Sequence, residues 1–113
     1  MELICIDIKS EKQTVAEAIA QFLIAIDSCK IGGFKVMKVI HGYGSHGVGG
    51  DIKRQFIKEC QNLKNKGKIY DYICCDNLAS KNTTKKMAIN YCPDLLADKD
   101  IYYINPGCSI VVL

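Results

Sequence analysis

The sequence has no tryptophan and only two prolines, and its seven cysteines include no C-x-x-C pair. Without that spacing the common two-by-two zinc ligand sets are excluded. The count is odd, and Cys5, Cys60 and Cys108 sit inside apolar patterns. Small buried thiols in a reduced compartment are therefore expected, not a disulfide framework. No apolar run approaches the roughly 18 residues of a membrane span. The opening M-E-L-I-C-I-D lacks both the basic flank and the long apolar stretch of a signal peptide. The expectation is a cytoplasmic protein without a membrane partner. No G-K-[ST] occurs, which excludes a Walker phosphate loop. Histidine is scarce as well, and both histidines fall in one glycine-rich stretch.

What remains is ordinary for a folded chain. The 113 residues are 49% hydrophobic and 24% charged, which suits one domain, 1–113, with a core of its own. The net charge of +3 permits a polyanionic partner without demanding one. Placement says more than the total. Residues 53–68 hold Lys53, Arg54, Lys58, Lys64, Lys66 and Lys68 against one acid, Glu59.

Periodicity orders the elements. L-I-C-I-D-I at 3–8 reads as a buried strand. Val15, Ala18, Ile19, Phe22, Leu23 and Ile26 then follow helical spacing, with Thr14 and Glu17 placed for a capping box. This helix is expected to run to about Ser28, Gly32-Gly33 then turns the chain, and residues 34–40 alternate as a second strand. A helix joins the two strands, so they are expected to be parallel, through a right-handed crossover. Residues 51–64 read as a second helix with Ile52, Phe56, Cys60 and Leu63 toward the core, stopped by N-K-G-K at 65–68. A third strand at 69–75, a third helix at 85–92 ended by Pro93, a helical turn at 95–97, an extended stretch at 101–104 and a turn at Asn105-Pro106-Gly107 precede a last strand at 108–113. The predicted fold is α/β: a two-layer βαβαβ(α)β sandwich, helices packed on a small mixed four-stranded sheet.

The glycine-rich stretch lies between the second strand and the second helix. Five of the nine glycines fall within residues 42–50. Such a loop lets backbone N–H groups approach a ligand closely, and the start of a helix adds positive potential, so a phosphate suits it. His41, at the end of the strand, has the chemistry to move a proton near neutral pH. Asp7 ends the first strand and would share its sheet edge, where open α/β sheets place their ligands. Lys53, Arg54 and Lys58 supply fixed charge, and Tyr43 offers a ring to a base. Gly42-Tyr43-Gly44-Ser45-His46-Gly47 also matches G-x-G-x-x-G, with Asp76 after the next strand. A dinucleotide fold, however, needs more strands, and here a whole α/β unit precedes the loop.

In order, the blocks are I-D-I-K at 6–9, T-V-A-E-A at 14–18, V-I-H-G-Y-G at 39–44, I-K-R at 52–54 and N-P-G-C-S-I-V-V-L at 105–113. Over nearly the whole chain this resembles the Smr (small MutS-related) domain family, with its L-D-x-H, H-G-x-G-x-G and basic-helix blocks. Members bind DNA or RNA, and several are endonucleases. The resemblance implies functional positions at Asp7, His41, Gly42 and Gly44. The loop and basic helix add Tyr43, His46, Gly47, Lys53, Arg54 and Lys58 as phosphate or base contacts, and Lys9, after the first strand, can meet a phosphate as a point charge. For cleavage, His41 is the candidate general base or positioning group, and Asp7 would orient it or hold a divalent ion such as magnesium. Loop amides with Lys53 or Arg54 would stabilise the phosphorane. The motif histidine of L-D-x-H is Lys9 here, so binding is expected ahead of cleavage. Two other readings stay open: a small-molecule enzyme or sensor holding a nucleotide phosphate, and a non-catalytic protein-interaction module.

Overall fold

The computed structural model describes residues 3–9, 13–43, 48–76 and 82–113. The order is β1 (Ile4–Asp7), α1 (Val15–Ile31), β2 (Val36–Ile40), α2 (Val48–Asn65), β3 (Asp71–Cys74), α3 (Asn82–Tyr91) and β4 (Cys108–Val112). Two 3-10 turns, Pro93–Ala97 and Lys99–Ile101, lie between α3 and β4. The result is an α/β sandwich on a small mixed four-stranded sheet of order β1-β2-β4-β3. β1 and β2 are parallel, while β4 runs antiparallel to both β2 and β3. The carboxyl ends of β1, β2 and β3 therefore share one sheet edge with the start of β4.

Local chemistry sets the first helices. The Thr14 hydroxyl accepts the Glu17 amide at 3.1 Å and the Glu17 carboxylate accepts the Thr14 amide at 3.4 Å, closing the capping box of α1. The chain leaves α1 through Gly33 at φ +80°, a left-handed conformation that glycine adopts without strain. Ala18, Phe22 and Ile26 of α1 and Ile52, Phe56, Cys60 and Leu63 of α2 bury one sheet face, together with Met37, Val39, Tyr72 and Val111. The Phe22 and Phe56 rings meet at 4.8 Å. Burying each such aromatic contributes on the order of 1.5–3 kcal/mol. Both helices run back from the strands' carboxyl edge, so their amino-terminal ends lie toward it.

The other sheet face is covered differently. Ala88 and Cys92, with Leu95 and Ile101 of the 3-10 turns, pack on Val36, Ile73, Cys108, Ile110 and Val112. Thr84, in the first turn of α3, donates to Asp71 at the start of β3 at 2.7 Å. α3 thus begins near the far edge of the sheet, unlike α1 and α2. This cover stops short of β1, which explains why Cys5 is exposed and not in the core as its pattern suggests. The stretch expected to be extended at 101–104 is instead a 3-10 turn running into exposed residues. The Asp98 carboxylate accepts the Asp100 amide at 2.9 Å and caps that turn. Among the described residues no helix is long and apolar enough to cross a membrane.

Candidate nucleic-acid interface

Register brings the two candidate catalytic groups to one edge. Asp7 pairs with Ile40, and the Ile8 amide donates to the Ile40 carbonyl at 2.9 Å. Alternation then parts them. Ile8 and His41 point to the face covered by α1 and α2, whereas Asp7 follows Ile40 to the other face. The sheet lies between the carboxylate and the imidazole. Asp7 is exposed and accepts the Lys9 amide at 2.8 Å. Among the described residues no group of three or more His, Cys, Asp or Glu side chains is arranged to hold a metal. Among the described residues Asp7 is thus without the companion ligands that a protein-held divalent ion takes.

His41 is fully buried. Its Nδ1 lies 2.7 Å from the Gly42 carbonyl oxygen and its Nε2 lies 2.8 Å from the Ser109 hydroxyl. A carbonyl only accepts, so Nδ1 carries the proton and Nε2 accepts from Ser109. The ring also packs against Phe56, centroids 4.9 Å apart. Burial pushes the imidazole pKa down to about 4; the Gly42 bond opposes this, and the charge of Lys53 adds to the fall. The side chain is neutral near pH 7 with both nitrogens engaged. The lone pair that a general base needs is taken by the Ser109 hydroxyl.

The backbone around His41 is fixed by the turn before β4. The Gly107 carbonyl accepts the His41 amide at 2.9 Å and the Gly42 amide at 3.0 Å. Gly42 has φ +72°, where a side chain would be strained. The Asn105 side chain accepts the Gly107 amide at 2.9 Å and donates to Asp100 at 3.0 Å. Asp100 in turn meets the Lys38 ammonium at 2.6 Å, and Asp98 meets the same ammonium at 2.9 Å. A line of polar contacts thus runs from the middle of β2, through a buried ion cluster, to the glycine loop. Burial alone would lower the Lys38 pKa, but the hydrogen bonds that Lys38 donates to Asp100 and Asp98 outweigh it and raise the pKa above the ordinary value. Burial likewise tends to raise Asp100, and the bonds from Lys38 and Asn105 bring it below the ordinary carboxylate value.

None of Lys38, Asp98, Asp100, Asn105 or Ser109 stood among the sequence candidates. Two gave a local signal: Lys38 is the lone cation in V-M-K-V-I, and Ser109 the lone hydroxyl in C-S-I-V-V-L. Their partners are too far along the chain for spacing to reveal.

The basic helix is resolved into engaged and open charges. Lys53 is half-buried and pairs with Asp76 at 2.9 Å, so part of its charge is neutralised at the end of β3. Arg54 is exposed and pairs with Asp51 within α2. Such an exposed pair is worth little and opens readily to another anion. Lys58 and Lys9 are exposed, and Tyr43 is 56% exposed beside Gly107. Gly44, His46 and Gly47 lie outside the described residues. No family model matches the chain, and neither the curated proteins nor the solved structures give a match.

Proposed function

We propose that this chain is an Smr-like domain that binds DNA or RNA through the carboxyl edge of its parallel strands, without His41-catalysed cleavage. One observation carries the reading. At that edge β2 delivers Gly42 in a left-handed conformation and an exposed Tyr43, and α2, which begins there, presents exposed Arg54 and Lys58. The helix dipole and the open cations together suit a phosphodiester backbone, and give affinity with little sequence preference. Binding without cleavage follows from the imidazole's two hydrogen bonds and its separation from Asp7.

Arg54→Glu with Lys58→Glu tests the reading in a way that spares the fold, since both side chains are exposed. Affinity for a labelled oligonucleotide at about 0.1 M salt should fall by on the order of tenfold or more. The melting temperature should stay where it is. Unchanged affinity would remove α2 from the interface. Tight, salt-indifferent binding of a mononucleotide would favour the small-molecule reading instead.

A further inference from the structure

Residues 85–104 cover the sheet on their inner side and leave an outer side open to solvent. Tyr102, Tyr103 and Ile104 are consecutive and 59%, 71% and 80% exposed, with Leu96 exposed beside them. The Tyr102 hydroxyl donates to the Leu96 carbonyl at 2.8 Å, which fixes that ring on the surface. The Lys85 ammonium stands 5.9 Å from the centre of the Tyr102 ring. The Lys99 carbonyl accepts the amides of both Tyr102 and Tyr103, so Lys99 belongs to the same turn. A run of exposed apolar and aromatic side chains of this kind marks a contact surface.

Its charge says which partner fits. The acids of this segment are Asp94, Asp98 and Asp100. Asp98 and Asp100 both turn inward onto Lys38, leaving Asp94 alone against Lys85, Lys86 and Lys99. A lysine at an open tyrosine ring, in a segment whose outward charge is mostly positive, matches a ligand that alternates phosphates with flat bases. A protein partner would instead favour a patch whose centre is depleted of lysine. The segment also leads directly into the Asn105–Gly107 turn, whose carbonyl holds His41 and Gly42, so the face is continuous along the chain with the phosphate-binding edge.

Given a nucleic-acid ligand as proposed above, we infer that Tyr102 and Tyr103 are a stacking platform for bases, with Lys85 and Lys99 on the adjoining phosphates. Stacking needs unpaired bases, so the ligand is single-stranded. Duplex DNA, whose bases face one another, meets only the phosphate-binding edge.

The test compares a labelled oligodeoxythymidine strand, an oligouridine strand and a mixed-sequence duplex, by fluorescence anisotropy. The chain has no tryptophan and six tyrosines, so its own fluorescence reports stacking directly. Single strands should quench that emission and bind more tightly than the duplex. Tyr103→Ala should cost about tenfold on single strands and nothing on the duplex. Tyr103→Phe should restore the binding, since it keeps the ring and removes only the hydroxyl. Single-strand affinity indifferent to Tyr103→Ala overturns the platform, while its loss in Arg54→Glu/Lys58→Glu would leave the binding edge standing. Failure of every nucleic acid to bind removes both readings. A change on Tyr103→Ala seen only in sedimentation mass would assign the face to a second copy of the chain and overturn the inference.

Discussion

Replacing Lys38 by methionine is expected to cost the fold about 3–5 kcal/mol, the usual penalty for leaving a buried carboxylate without its cation. Lys38 is 9% exposed and Asp100 6%, so water does little to replace the lost ammonium. The loss should be read by chemical denaturation at neutral pH. The triple change Lys38→Met, Asp98→Asn and Asp100→Asn should recover a large part of it, because no unpaired charge then stays buried. The pH dependence should also change sign. In the natural chain the folded Asp100 pKa lies below its unfolded value. Its stabilising contribution is therefore present above the ordinary carboxylate range and is lost as pH falls through the lowered pKa. With Lys38 gone the folded pKa of Asp100 rises instead, so acid should stabilise the variant relative to the natural protein. A Lys38→Met protein as stable as the natural one would mean that the cluster is solvated and does not hold the turn.

His41→Ala is expected to cost about 3 kcal/mol, through the cavity beside Phe56 and the Ser109 hydroxyl left without its acceptor. The pH profile separates this role from a catalytic one. The unfolded imidazole takes a proton near pH 6.5, while the folded one resists until about 4. Between those values the unfolded state binds more protons, so stability falls as pH falls. Across the whole window the loss is about 3 kcal/mol at one pKa unit per 1.36 kcal/mol. Melting temperatures measured from pH 7 down to 5 should drop in the natural chain and stay nearly level in His41→Ala. An imidazole that titrates near 6.5 in the folded protein, seen by NMR, would contradict the buried, doubly bonded ring.

The first half of the fold was legible because its signals are local. The spacing from Val15 to Ile26, the Thr14–Glu17 box and the Gly32-Gly33 break each lie within one helix or one turn. The parallel pairing of β1 with β2 followed from the helix between them. The second half was harder, since what shapes it acts over long distances in the chain. Asp98 and Asp100 are 60 and 62 residues from Lys38. Without that cation a D-K-D-I-Y-Y-I stretch offers no reason to turn inward, and residues 101–104 read as extended. The site divides in the same way. The glycine loop and the cations of α2 show in the sequence as a phosphate-binding pattern. Sequence order also put Asp7 and His41 on one edge, as the register does. It could not show that strand alternation sends them to opposite faces, nor that a serine 68 residues on would occupy the imidazole lone pair.

Anisotropy of a labelled oligonucleotide, titrated with the natural chain at salt concentrations from about 50 to 200 mM, tests nucleic-acid binding most directly. Contacts to phosphates predict a straight line of log affinity against log salt, falling by about 0.9 for each duplex phosphate neutralised and about 0.7 for each on a single strand. The Arg54→Glu/Lys58→Glu protein should give a shallower line. No binding at the lowest salt, or an affinity that salt does not change, would contradict a polymer of phosphates as the ligand of this edge.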